Sequence, residues 1–273
     1  MSALLEINGL TRRFGGLVAV HDVAMEVAPG SVHGLIGPNG AGKTTLLNLI
    51  SGHIPSSSGQ IGYGGGDITR WSVDRRARAG IRRTFQNLKL FRDMTVLENV
   101  MIGMHGETHC EIWRALLRTR SQQAEEAAIA ERAREALDFV GLPNLADARA
   151  DDLPYGSQRL VEIARATVAR PKLLLLDEPA AGLNGVESRR LVDLIRAIRS
   201  GGTTILLVEH HMDVVMPSCD CITVLNYGQR LADGTPAEIR THPEVIKAYL
   251  GGGLKRRETR APKQQAELLH AAP

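Results

Sequence analysis

The sequence predicts an α/β fold: a parallel-sheet core, an antiparallel β region ahead of it and a helical insert within it. Three observations carry this expectation. "HGLIGPNGAGKTTLLNLISG", His33 to Gly52, passes from an apolar strand through a glycine-rich turn into a helix. "KLLLLDEP" and "GTTILLVEH" are continuous apolar runs, the pattern of strands covered on both faces. Between the turn and these runs, "SQQAEEAAIAERAREALDFVG" has helical periodicity and little strand signal.

Taken in order, Leu4 to Val27 alternates apolar and polar residues, as in "VAMEV", and turns at Gly15-Gly16 and Pro29-Gly30, which predicts antiparallel strands. Thr44 to Leu49 is helical, with Leu46, Leu47 and Ile50 on one side and Gly52 placed as a C-cap. "SSSGQIGYGGGD" reads as a loop. Asn87 to Asp152 forms the helical insert, and "ESRRLVDLIRAIRSGG" is a helix between the two buried strands. Cys221 to Gly234 reads as a closing hairpin, the tail after Gly251 is polar and reads as disordered, and no internal repeat is present.

With 273 residues, 43% hydrophobic and 23% charged, the chain suits one large α/β domain or a domain with a smaller insert. Its longest aliphatic run, Leu173 to Leu176, is far below the roughly 20 apolar residues of a membrane helix, and Met1 to Gly30 lacks a signal-peptide core. The expected location is the cytoplasm. A net charge of +3 and 4% aromatic residues argue against a nucleic-acid partner. Cys110, Cys219 and Cys221 lack paired C-x-x-C spacing and read as reduced thiols. The group His105, His109, Cys110 is not expected to bind metal, because Gly106 breaks any helix that would align its histidines.

The turn Gly37, Pro38, Asn39, Gly40, Ala41, Gly42, Lys43, Thr44 fits G-x-x-x-x-G-K-[ST]. In that pattern backbone N–H groups and the lysine surround a nucleotide's phosphates, and the hydroxyl reaches Mg²⁺. GTPases and small-molecule kinases share it. In "LLLLDEP" an apolar strand ends in Asp177, a carboxylate beside that Mg²⁺, and Glu178 follows, placed to orient or deprotonate an attacking water. "LPYGSQRLVEIARA" starts an amphipathic helix at Gly156 and Ser157, either an anion site or an ordinary capped helix. Gln86 in "RTFQN" stands where the sheet gives way to the insert, and His210 ends a buried strand, a place where a histidine often has only a structural role.

The order of these motifs resembles the ATP-binding subunit of ATP-binding cassette (ABC) transporters along nearly the whole chain; kinases and GTPases lack the stretch Leu153 to Arg159. The resemblance implies a P-loop nucleotide triphosphatase with a RecA-like parallel core, using ATP and Mg²⁺. It implies that Phe14 stacks on adenine, that the phosphate turn extends to Thr45, and that Thr44, Gln86 and Asp177 serve the metal. Glu178 is then the catalytic acid, Ala181 to Asn184 the D-loop and His210 the switch histidine. Tyr155, Gly156, Ser157 and Gln158 form a signature acting in trans on ATP held by a second subunit. Residues 1–86 and 157–240 become the nucleotide-binding core with its antiparallel β subdomain, 87–156 the helical subdomain, 241–254 a C-terminal extension and 255–273 a disordered tail.

"RFGGLVAVHDV", "RTFQNLKLFRDMTVLENV", "LDEPAAGLN", "GTPAEIRTHPEVIKAYLG" and the "AYLG" ending, Ala248 to Gly251, resemble the LivG-type ATPases of branched-chain amino acid importers. The implied partners are membrane-spanning permease subunits, a second ATPase subunit (a copy or a paralogue) and, indirectly, a periplasmic binding protein, with the chain peripheral on the inner membrane face. Importers of urea, amides or aromatic acids share much of this pattern, and a lipid exporter shares the fold. A soluble ABC ATPase acting on DNA or ribosomes usually has two cassettes or a long coiled-coil insertion, and this chain has neither. Four positions depart from the pattern: Pro154 replaces the signature serine, Asn184 the D-loop aspartate, His211 a common aspartate and Cys221 a frequent arginine.

Overall fold

Strand alternation explains how one sheet serves two cores. The structure, a computed structural model, describes residues 2–86, 88–104 and 120–249. Strands β1 (Leu5–Phe14), β2 (Leu17–Val27) and β3 (Val32–Ile36) lead to helix α1 (Lys43–Ser51). Then come β4 (Ser58–Tyr63), β5 (Gly66–Asp67), α2 (Val73–Arg78), β6 (Ile81–Arg83), α3 (Val96–Met101) and α4 (Arg120–Phe139). Helix α5 (Tyr155–Thr167), β7 (Leu173–Asp177), α6 (Gly185–Ser200), β8 (Thr204–Val208) and α7 (Met212–Ser218) follow, before β9 (Cys221–Asn226), β10 (Gln229–Gly234) and α8 (Pro236–Thr241). Residues 243–249 are also helical.

The larger sheet has the order β10-β9-β3-β8-β7-β6, parallel from β9 to β6, with β10 antiparallel at its edge. Successive side chains of a strand point to opposite faces. Leu174, Leu176, Ile205 and Leu207 therefore pack with α3 to α7, whereas Leu173, Leu175, Leu206 and Val208 pack with α1 and the smaller sheet. The first cluster runs without a break from the sheet into the insert, through Val96, Val100, Ala133 and Leu137. The insert thus shares its core with the sheet.

The smaller sheet, β2-β1-β4-β5, corrects the expected loop "SSSGQIGYGGGD". Its glycines depress strand propensity, but Ile61 and Tyr63 bury against the second core and β4 pairs antiparallel with β1 from Leu5↔Tyr63. Gly59 makes the close approach that this pairing needs: a Cβ there would lie 2.4 Å from the carbonyl oxygen of Gly9. Gly52 ends α1 at φ 81 and its N–H donates to the α1 carbonyls. Nearby Arg76, 2% exposed, donates Nη1 to the carbonyls of Leu49 and Ile50 and Nη2 to those of Ile68 and Thr69, fastening the C-terminus of α1 to the turn before α2.

Among the described residues no helix is long and apolar enough to cross a membrane. Asn87, the group His105, His109, Cys110 and the tail after Gly251 lie outside the described residues.

Candidate functional site: a nucleotide cleft

The phosphate turn fits between β3 and α1 because its glycines avoid backbone that any side chain would strike. A Cβ at Gly37 would sit 2.1 Å from the Leu225 carbonyl oxygen, and one at Gly42 2.6 Å from that of Ala19. Both have positive φ, which glycine alone adopts without strain. Helix α1 starts with no side-chain cap and no acidic residue in its first turn, so its leading N–H groups and positive dipole end suit an anion. Lys43 is 6% exposed and its Nζ donates to the carbonyls of Gly37 (2.6 Å) and Pro38 (3.1 Å). Burial pulls the Lys43 ammonium below its usual pKa, and the nearby carboxylates of Glu178 and Asp177 oppose this.

A cleft of about 730 Å³ opens over this turn. Asn39 to Thr45 line it, together with Gln86, Glu178 and His210 on one side and Leu17, Val18, Ala19, Tyr227 and Gly228 on another. Gln86 Nε2 donates to Glu178 Oε2 at 2.9 Å, and His210 Nδ1 lies 3.7 Å from Glu178 Oε1. Glu178 itself has φ 48, left-handed backbone that costs a non-glycine residue of the order of 1–2 kcal/mol. Its N–H donates to the Val208 carbonyl, which ties this strained acid to β8. Phe14 is not among the lining residues; it stands 44% exposed with the Arg12 guanidinium 4.5 Å from its ring centroid.

Two residues that the motifs do not contain organise this chemistry. Arg83 donates Nη2 to Asp177 Oδ2 (2.9 Å) and Nη1 to Asn48 Oδ1 (2.7 Å) and Ser51 Oγ (3.0 Å), joining β7 to α1. Asp177 is 2% exposed, and its Oδ1 makes no hydrogen bond among the described residues. Glu209 is fully buried; its Oε1 accepts the Ala180 N–H, and its Oε2 accepts those of His210 and His211. It also lies 3.0 Å from His211 Nδ1, which gives His211 a structural place. The only sequence signal for Glu209 was an acid at the end of an apolar strand, and for Arg83 there was none.

A family model described as "ABC transporter" matches residues 20–181, and one described as "Branched-chain amino acid ATP-binding cassette transporter" matches residues 229–255. The chain belongs to the ABC transporter family. It is 45% identical over 249 residues to the high-affinity branched-chain amino acid transport ATP-binding protein LivG of Escherichia coli (strain K12), covering 91% of this chain and 98% of that one. It matches BraF of Pseudomonas aeruginosa, which carries the same description, at 45% over the same shares. Among solved structures it resembles a nucleotide-free ATP-binding cassette from an ABC transporter, with TM-score 0.79, 31% identity and coverage of 90% of this chain and 98% of that one. It also resembles an ATP-binding cassette in its ADP conformation, with TM-score 0.79, 30% identity and coverage of 92% and 100%.

In this ABC ATPase none of the residues lining the cleft belongs to the stretch Leu153 to Arg159. Pro154 is the N-cap of α5, without a side-chain cap bond, and Tyr155 is 44% exposed. Ser157 and Gln158 are half-buried, and Gln158 Nε2 donates to the Leu153 carbonyl. Gly156 faces Glu187, whose Oε1 would be 2.5 Å from a Cβ at that position. Asn184 accepts the N–H groups of Val186 and Glu187, and Glu187 accepts that of Asn184, a capping box that starts α6. The Cys221 thiol donates to Asp233. In the helix of residues 243–249, the Tyr249 phenol lies at the backbone N–H of Gly37, although burial still pushes it up to about 12; sequence reasoning missed this approach to the phosphate turn.

A buried ion pair ties helix α5 of this ABC ATPase to Gln86. Arg159 and Glu162, each 1% exposed, pair at 2.8 Å. Arg159 also donates to the carbonyls of Phe85 and Gln86, and Glu162 accepts the Phe85 N–H. Removing one partner strands a charge, so Glu162→Leu should cost about 3–5 kcal/mol in urea denaturation, while Arg159→Met with Glu162→Leu should recover much of that loss. Equal losses in the two variants would show that the pair is not what stabilises this contact.

Proposed function

We propose that the chain is the ATP-hydrolysing subunit of an importer for branched-chain amino acids. It works as a dimer on the cytoplasmic membrane face, beneath spanning permease subunits that receive the solute from a periplasmic binding protein. The observation that carries this reading is a divided site: one chain gathers the phosphate turn, Gln86, Glu178 and His210 around its cleft, and keeps Tyr155, Gly156, Ser157 and Gln158 outside it. A helix start with no acid in its first turn and no side-chain cap suits a phosphate brought by a second subunit. The relatives' names support the cargo.

In this mechanism the N–H groups of Gly37 to Thr45 and the Lys43 ammonium hold the β- and γ-phosphates. Thr44, Asp177 and Gln86 are the residues that would hold Mg²⁺; the hydroxyl, carboxylate and amide oxygens are hard donors that suit it, and it would neutralise charge on the phosphates. Glu178 takes a proton from the attacking water, and His210 orders that water and the γ-phosphate beside it. Phe14 stacks on the adenine.

The segment after Gln86 is the proposed permease seat. Phe91 (50% exposed) and Met94 (38%) face outward, whereas Leu90 packs on the core. Fully buried Asn99 holds this segment by accepting the Phe91 N–H and donating to its carbonyl. Phe91→Glu with Met94→Glu should therefore leave ATP binding intact and release the chain from membranes; retained membrane association would remove this seat. The function itself is tested by purifying the chain from membranes with its partners and measuring ATP-dependent uptake of labelled leucine in proteoliposomes. Uptake of a urea or amide instead would change the cargo, and a purification that yields no spanning subunit would overturn the reading.

A further inference from the structure

We propose that His33, Cys221 and Asp233 form a binding site for a divalent cation of the Zn²⁺ type, apart from the nucleotide cleft, which none of them lines. Strand register brings the three together. His33 on β3 is the partner of Cys221 on β9, and two residues further along β9, Thr223 is the partner of Asp233 on β10. Alternation puts Cys221 and Thr223 on one face of β9, so an imidazole, a thiol, a hydroxyl and a carboxylate meet across three neighbouring strands. A ring nitrogen of His33, the sulfur of Cys221 and a carboxylate oxygen of Asp233 all lie within 4.8 Å of one another. His33 Nε2 is 4.0 Å from Asp233 Oδ1, and Cys221 Sγ is 3.8 Å from Asp233 Oδ2. The bond lengths of tetrahedral Zn²⁺ set its ligand atoms about 3.3–3.6 Å apart, so a closing on the order of 1 Å completes the site.

The donor set selects the ion. Nitrogen, sulfur and oxygen together suit Zn²⁺, whereas Mg²⁺ takes oxygen. The charges also balance, because a thiolate and a carboxylate cancel the two charges of the ion and the imidazole binds neutral, with its hydrogen on Nδ1. Binding releases the Cys221 thiol proton to water, as coordination deprotonates a thiol outright. The Thr223 hydroxyl stands 2.7 Å from His33 Nε2 and donates to Asp233 Oδ1. It gives up the first contact to the ion and keeps the second, which holds the ligating carboxylate in place. The His33 side chain is 2% exposed and firmly seated, while that of Asp233 is 40% exposed, which leaves the ion a way in and a fourth position for water. An ion here fastens the edge strand β10 to β3, the strand that leads into the phosphate turn.

The test titrates the full chain with Co²⁺ and with Zn²⁺ alone. Co²⁺ bound to a thiolate absorbs in the near ultraviolet, so the first equivalent should give that band, and Zn²⁺ should displace the Co²⁺ and raise the thermal midpoint. The band should survive Cys110→Ser and Cys219→Ala and vanish in Cys221→Ser. Loss of an outer partner of a metal site already costs about 10- to 100-fold, so Cys221→Ser and Asp233→Asn should each weaken binding of the first Zn²⁺ at least about a hundredfold. Circular dichroism checks folding; if Asp233→Asn fails to fold, Cys221→Ser, which exchanges one atom, carries the test. Metal bound without a thiolate band, a Zn²⁺ affinity unchanged in either folded variant, or no binding at one equivalent would each overturn the site.

Discussion

Glu178→Gln should lower ATP turnover about 10²- to 10⁴-fold, the range that a positioned general base contributes, with ATP affinity little changed. The amide keeps the shape of the side chain and cannot take the water's proton. Phosphate binding rests on the turn from Gly37 to Thr45, so ATP should still bind, and the closed dimer should accumulate because nothing resets it. Size-exclusion chromatography with ATP should show Glu178→Gln as a dimer. Adding Gly156→Asp places a carboxylate where the partner's γ-phosphate must approach the start of α5, and the double variant should elute as a monomer. An aspartate at 156 would also crowd Glu187 within the same chain, since even a Cβ there falls 2.5 Å from Glu187 Oε1. Glu178→Gln with Gly156→Ala is therefore added as a control: it brings the same crowding without the charge, so it should share any lost thermal stability and still elute as a dimer. A Gly156→Asp double variant that dimerises as well as Glu178→Gln would mean that Gly156 faces no partner phosphate.

Lys43→Ala should weaken ATP binding by at least about a hundredfold, because each lost charge-assisted bond to a phosphate is worth about 1.5–3 kcal/mol and the lysine makes more than one. Lys43 is the only lysine or arginine among the described residues lining the cleft, so no neighbouring fixed cation takes over its charge. The ammonium is already positioned over the turn by the carbonyls of Gly37 and Pro38. Calorimetry with ATP and with tripolyphosphate checks this, and both should weaken in parallel. Near-parental ATP affinity would remove the phosphate turn from the site.

The sequence by itself determined the parts whose physics is local. The glycine-rich turn is legible because positive φ and close backbone approach demand glycine at Gly37 and Gly42 whatever surrounds them. The strands ending at Asp177 and before His210 are legible because burial on both faces leaves an unbroken apolar run. Tertiary structure decided what depends on partners distant in sequence. "SSSGQIGYGGGD" became two strands because β1 was there to pair with it, against its own weak propensity. Arg83 and Asp177 are 94 residues apart, and Arg159 reaches the Phe85 carbonyl across 74, so no local pattern announces either contact. Glu209 looks like any polar residue at a strand end until burial forces its carboxylate to find four donors around Ala180, His210 and His211. The contact between the β9–β10 turn and the phosphate loop, through Gly228 and Ala41, was decided in the same way, because a sheet sets neighbours by strand order rather than by distance along the chain.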